Sequence, residues 1–248
     1  MPAFSLQLPA IRGMIDRRIL LNYRVQPAVL ARLLPEGLRP RLVNGSAMAG
    51  VCLIRLKQVR PRFLPASIGM SSENAAHRMA VEWRQDGQPL RGVYIPRRDT
   101  SSRFNTIVGG RFFAGVHHRA CFDVWEEREA LSVTVHSDDG QMRLALKARL
   151  ADRLSGQSVF GSLQEASDFY QEGSLGYSPR RDGRLEGLEL RSFGWRIQPL
   201  DVSHVESSFF GDPGRFPPGT AQFDSAFLMR GIPHEWQARG LFSCDAID

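Results

Sequence analysis

The densest collection of side chains capable of chemistry lies in the stretch that opens GVYIPRRDTSSR at Gly92 and continues through GGRFFAGVHHRACFD. It carries Arg97, Arg98, Asp99, Arg103, Arg111, the doublet His117–His118 and Arg119, beside the pair Gly109–Gly110. Imidazoles suit proton transfer near neutral pH, and a glycine pair lets the backbone turn sharply or approach a ligand closely. The same residues also fit a basic connector between two strands. Adjacent residues on an extended chain point to opposite faces, so His117 and His118 cannot chelate one metal. His136, His204 and His234 are isolated, and Cys52, Cys121 and Cys244 have no metal-ligand spacing. The acidic run Asp123, Glu126, Glu127 and Glu129 reads as a solvated loop, since metal loops alternate ligands with glycines. No GxSxG elbow, P-loop or dinucleotide fingerprint is present, and no cofactor is expected.

Composition bounds the rest. A chain of 248 residues with 42% hydrophobic and 23% charged content reads as one globular domain over 1–248. No apolar run reaches the length of a membrane span, and the N-terminus lacks a basic-then-apolar leader. The odd number of scattered cysteines points to a reducing, cytoplasmic compartment. The formal charge is +6, and 30 of the 32 basic residues are arginines spread along the whole chain. Nucleic-acid binders concentrate charge and interleave aromatics, so neither a nucleic acid nor a membrane is expected as partner. A homo-oligomer is left open.

The elements that must position these groups are mostly strands. RILLNYRV (18–25) reads as a strand, and Pro27 opens a short helix over 27–34. Asn44-Gly45 is a hairpin turn before the apolar run 47–56. Residues 60–72 read as loop, and 73–83 and 92–95 as strands. Segment 109–115 is expected as a helical turn or irregular crossing. The alternating runs 130–136 and 142–151 form a hairpin around Asp138–Gly140, and Ser162-Leu-Gln-Glu165 is a capping box opening a helix through 170. A hairpin at 181–183 leads into a strand over 185–197. Beyond Pro199 the chain reads as loop-rich, with an apolar segment at 226–229 and an irregular tail. With no βαβ alternation, the fold class is mostly β (α+β), a curved antiparallel sheet with a few peripheral helices.

Several strings together resemble the YqjF-like family of unknown function, within the acetoacetate-decarboxylase-like superfamily. They are LLNYRVQPAVLARLLPEGL (20–38), VRPRFLP (59–65), the Glu73 strand, GVYIPRRDTSSR (92–103), GGRFFAGVHH (109–118), FGSLQEASDFYQEGSLGYS (160–178) and WRIQPLDV (195–202). The resemblance implies a cone-like β-barrel with a buried cavity. It also implies that the Schiff-base lysine of true decarboxylases is replaced by His118, with Arg119 as its cationic neighbour. Glu73 matches the cavity carboxylate, and Arg17 or Arg18 the N-terminal arginine. Three functions then remain. One is binding of a small organic acid or related anion, with Arg17, Arg18, Arg111, His117 and Arg119 as ligand groups. Another is an enzyme of a different reaction class, with His118 as general acid/base and Glu73 as partner. The last is a structural or interaction subunit.

Overall fold

The computed structural model describes residues 10–108 and 115–245. Thirteen strands join in one sheet: β1 Ile11–Val25, β2 Arg39–Pro40, β3 Leu42–Val43, β4 Ser46–Pro61, β5 Met70–Gln85, β6 Gln88–Thr100, β7 His117–Glu127, β8 Ala130–Ser137, β9 Arg143–Leu150, β10 Leu175–Pro179, β11 Leu185–Ser192, β12 Gln198–Ser207 and β13 Ala221–Leu241. The helices are α1 Pro27–Ala31, α2 Arg103–Val108 and α3 Leu163–Gln171. Among the described residues, only the pairings of β6 with β7 and with β10 are parallel.

The hydrogen bonding of this curved sheet closes on itself twice. Five long strands, in the order β13-β1-β4-β5-β6, form a wall. The free edge of β6 forks, giving residues 93–94 to β10 and 98–100 to β7. The free edge of β13 forks too, giving residues 226–228 to β12 and 234–241 to β11. Through β10 and β11 the wall closes into a seven-strand circuit, and through β7, β8, β9 and β12 into a nine-strand circuit. Each face of the wall therefore lines a separate core. On β4, Ala47, Ala49, Val51 and Leu53 enter one cluster, and Met48, Cys52 and Leu56 enter the other. Burial on both faces explains why this strand reads as a continuous apolar run instead of alternating.

Turn chemistry sets the registers. Asn44 and Gly45 both take positive φ (46° and 78°), and Asp86 and Gly87 do the same between β5 and β6 (52° and 74°). The expected hairpin around Asp138–Gly140 is β8–β9. Ser162 caps α3, its Oγ accepting from the Glu165 amide at 3.0 Å, while Glu165 accepts from the Gly161 amide. The cap holds Phe169 and Tyr170 against the second core. Replacement of Ser162 by alanine is expected to cost about 1 kcal/mol and lower Tm by a few degrees, read by thermal unfolding.

Four sequence expectations are corrected. The chain beyond Pro199 is not loop-rich throughout, since it builds β12 and the 21-residue β13, which subsumes the apolar segment and most of the expected tail. Gly231, at φ 64°, and Pro233 interrupt its alternation and hid it. The loop over 60–72 is shorter than expected, because β4 runs to Pro61 and β5 begins at Met70. The strand from Leu185 stops at Ser192. Of the acidic run, Asp123, Glu126 and Glu127 are part of β7 while Glu129 is in the turn after it, and Glu126 is drawn inward by arginines. The expected crossing over 109–115, with Arg111, lies outside the described residues apart from Gly115.

Candidate functional site

The seven-strand circuit encloses a cavity in two adjoining lobes that is partly open to solvent. Both lobes are lined by Cys52, Ile54, Ala76, Arg98, Leu188 and Trp236. Strand register accounts for most of the floor. Leu20, Cys52, Ala76, Arg98 and His117 are successive partners across β1, β4, β5, β6 and β7, so their side chains share one face. Arg18 and Asn74 lie one row away on this face, and Arg78 one row away on the other side. The roof is apolar, from Leu188 and Leu190 on β11, Trp236 on β13, and Phe169 and Tyr170 on α3.

Three arginines enter this space without forming an ion pair to a carboxylate among the described residues. Arg98 donates from Nε to Ser178 Oγ at 3.2 Å, and burial pushes its guanidinium down to about 10. Arg78 is buried, bonds Asn22 Oδ1, and stacks 4.7 Å from the Tyr170 ring centre. Burial lowers its pKa too, and its Nε has no hydrogen-bond partner. Arg18 donates from Nε to Cys52 Sγ at 3.1 Å and lies 5.7 Å from the Trp195 ring centre. Arg41, at the edge of the larger lobe, differs in being paired with Glu172 at 2.5 Å. His117 Nδ1 lies 3.2 Å from the Gly115 carbonyl. Burial first, then Arg98, pushes its imidazole down to about 3, so it is neutral at pH 7.

Of the other candidate residues, Arg17, Glu73 and His118 face the nine-strand circuit. Adjacent on β7, His117 and His118 do point to opposite faces: His117 lines the cavity, and His118 Nδ1 sits 3.1 Å from Asp139 Oδ2. Asp139 is shared with Arg97, which also pairs with buried Asp99 at 2.7 Å. Arg17 is fully buried between Glu73 (2.6 Å) and Glu126. Arg55 bonds the same two carboxylates, and Arg230 holds Glu126 at 2.8 Å. Glu73 and His118 thus lie on one face but in separate ion clusters, with no contact between them. Arg119 donates to the Ser101 carbonyl at 2.6 Å. Of the residues singled out by sequence, the cavity takes Arg18, Arg98 and His117. It adds Arg78 and Cys52, whose signal was a polar or ionisable group inside an apolar run: Arg78 in AAHRMAV, Cys52 in AGVCLI.

Both lysines lie elsewhere. Lys57 is half-exposed with Nζ 2.9 Å from Asp16, and Lys147 is exposed on β9. Among the described residues no group of three or more His, Cys, Asp or Glu could hold a metal ion, and no helix is long and apolar enough to cross a membrane.

Comparison with known proteins places the fold. Acetoacetate decarboxylase from Legionella pneumophila is similar at TM-score 0.61 and 12% identity, over 98% of this chain and 93% of that one. An acetoacetate decarboxylase-like enzyme from Sphingomonas wittichii is similar at TM-score 0.57 and 15% identity, over 100% and 97% of the two chains. The enduracididine biosynthesis enzyme MppR, solved with pyruvate, is similar at TM-score 0.57 and 11% identity, over 97% and 92%. At these identities the likeness is one of fold. No curated protein matches the sequence. A family model matches residues 14–226, the span that builds the wall strands β1, β4, β5 and β6 and most of both circuits, and the chain belongs to that family, DUF2071, an uncharacterised conserved protein family (COG2071).

Proposed function

We propose that the seven-strand cavity binds a small organic acid, with its carboxylate on Arg18, Arg78 and Arg98, and that no Schiff base forms. The observation that carries this reading is the set of three cavity arginines without a carboxylate. Burying a guanidinium unpaired is costly, and a protein meets that cost where a ligand supplies the counter-charge. A planar guanidinium matches a carboxylate with two parallel hydrogen bonds. The apolar roof excludes water and strengthens such contacts, and it receives the hydrocarbon part of the ligand. His117, neutral at pH 7, borders the site beside Arg98. The bound pyruvate in MppR, a protein of similar fold, agrees with an organic acid of this size.

The exclusion of iminium chemistry follows from the amines. That chemistry needs a neutral primary amine beside the substrate carbonyl. Lys57 is ion-paired with Asp16 away from the cavity, and Lys147 stands in solvent outside the nine-strand circuit. Calorimetric titration with pyruvate and acetoacetate is expected to show saturable binding that weakens with salt. Arg98→Ala and Arg78→Ala are each expected to weaken it ten-fold or more, the scale of one charge-assisted hydrogen bond. Affinity should hold across pH 6–8 and fall as pH passes about 10, where Arg98 loses its charge. Borohydride added with acetoacetate should leave the chain mass unchanged. Absence of saturable binding to a folded protein, or a stable adduct on Lys57 or Lys147, would overturn the reading.

A further inference from the structure

We propose that Cys52 is a nucleophilic thiol set at this anion site, which takes small anionic electrophiles of the α,β-unsaturated carboxylate class. The inference rests on the anion-binding reading above. Cys52 is on β4, the middle strand of the wall, and its side chain is on the cavity face in the same row as Arg98. It is 3% exposed, and the space it borders is the arginine cavity, in both lobes.

The geometry goes beyond a lone thiol. Arg18 Nε donates to Sγ at 3.1 Å, which fixes the direction of the sulfur lone pairs. Arg78 and Arg98 are both close enough to interact electrostatically with this cysteine. Arg78 is 7% exposed, lines the larger lobe, and its buried Nε has no hydrogen-bond partner. Reactive thiols sit in electropositive, partly exposed surroundings, and the cavity that Cys52 borders is partly open to solvent. A carboxylate held by Arg78 or Arg98 leaves the rest of its chain over the floor row that contains Cys52. Lysines being absent from the cavity lining, the thiol is the strongest nucleophile the lining offers.

The step balances without an oxidant. The sulfur lone pair attacks the β-carbon, and the π pair of the double bond moves to the α-carbon. The proton that leaves sulfur ends on that α-carbon, directly or through solvent. One S–H bond and one π bond break; one C–S and one C–H bond form. The arginines hold the carboxylate throughout.

Two alkylating probes of similar size, one anionic and one neutral, test this. The full chain is treated with iodoacetate or iodoacetamide at pH 7.5, and the three cysteines are followed by peptide mass spectrometry. Exposed Cys121 and Cys244 serve as internal references within the same molecule. At Cys52, iodoacetate is expected to outrun iodoacetamide at least ten-fold relative to the references. Pyruvate should protect Cys52 alone, and acrylate should give an adduct at Cys52 that Cys52→Ser abolishes. Equal rates for the two probes at Cys52, or no labelling of Cys52 by iodoacetate or acrylate in the folded chain, would overturn the proposal. If pyruvate binds by calorimetry while Cys52 stays unlabelled, only the thiol chemistry falls. If pyruvate neither binds nor protects, the anion site falls with it. The wild-type probes decide the matter even where a variant fails to fold.

Discussion

Between pH 6.5 and pH 3 the folded state is expected to lose several kcal/mol of stability, with little change from pH 7 to pH 9. His77 is 1% exposed against the Phe209 ring, and burial, then Arg97 and Arg215, pushes it down to about 3. His234 is 1% exposed against Trp236, and burial, then Arg18, pushes it down to about 4. An unfolded chain protonates these imidazoles near 6.5, whereas the folded chain resists until pH 3–4. Below 6.5 the unfolded state therefore binds more protons, and stability falls with falling pH until the folded pKa values are passed. Each unit of separation is worth about 1.4 kcal/mol, so two such groups outweigh most single contacts in the fold. Asp139 adds to the lower end. Burial opposes its charge, but hydrogen bonds from Arg97 and Ser137 hold its carboxyl well below the usual range. Urea titrations at pH 7.5, 5.5 and 4 would show the midpoint falling with an unchanged slope. A midpoint that does not move between pH 7.5 and 4 would refute the assignment, and His77→Phe should remove part of the dependence.

Gly50→Ala is expected to cost about 3 kcal/mol or more, beyond what a surface substitution costs. Gly50 on β4 pairs with Asn22 on β1, beside the bulge at Asn22–Tyr23 of the β1–β13 pairing. A Cβ there would lie 2.1 Å from the Leu21 carbonyl oxygen, which is backbone in the middle of the wall. Neither strand can shift without moving Leu21 and Val51, both fully buried in the larger core. Gly240→Ala is the matched control, since nothing lies within 4 Å of its added carbon. Thermal unfolding of the pair should separate them by ten degrees or more, and equal Tm values would show that the wall accommodates the methyl group.

The residues explain why some of this was legible and some was not. The β8–β9 hairpin is written locally, in clean alternation around Asp138-Asp139-Gly140, and so is the Ser162 cap. The opposed directions of His117 and His118 also follow from strand geometry alone. Which of the two meets the cavity does not, because that depends on β7 pairing with Arg98–Thr100 of a strand nearly twenty residues earlier. Arg18 and Arg17 pose the same problem. Both are basic, they are adjacent, and only the pairing of β1 with β4 shows that Arg17 meets Arg55 and Glu73 while Arg18 meets Ile54 and the cavity row. Arg78 drew no functional reading because it sits in a strand whose second buried face is created by β10 and β11, elements more than ninety residues away.

The forked edge of β13 has a consequence for synthesis. Both circuits need β1 paired to β13, from Ile11 against Trp236 to Val25 against Ala221, so both depend on contacts between opposite ends of the described chain. Such long loops must close before their contacts repay the entropy, and folds dominated by them form slowly. On the ribosome, β1 to β12 can emerge with neither enclosure complete, because the strand that seals each is the same one and comes last among them. Until residues 221–241 arrive, the nascent chain carries apolar wall faces and open strand edges, the state most prone to aggregation and most in need of a holding chaperone. A chain interrupted before residue 221 would not be left with one finished half; it would have none.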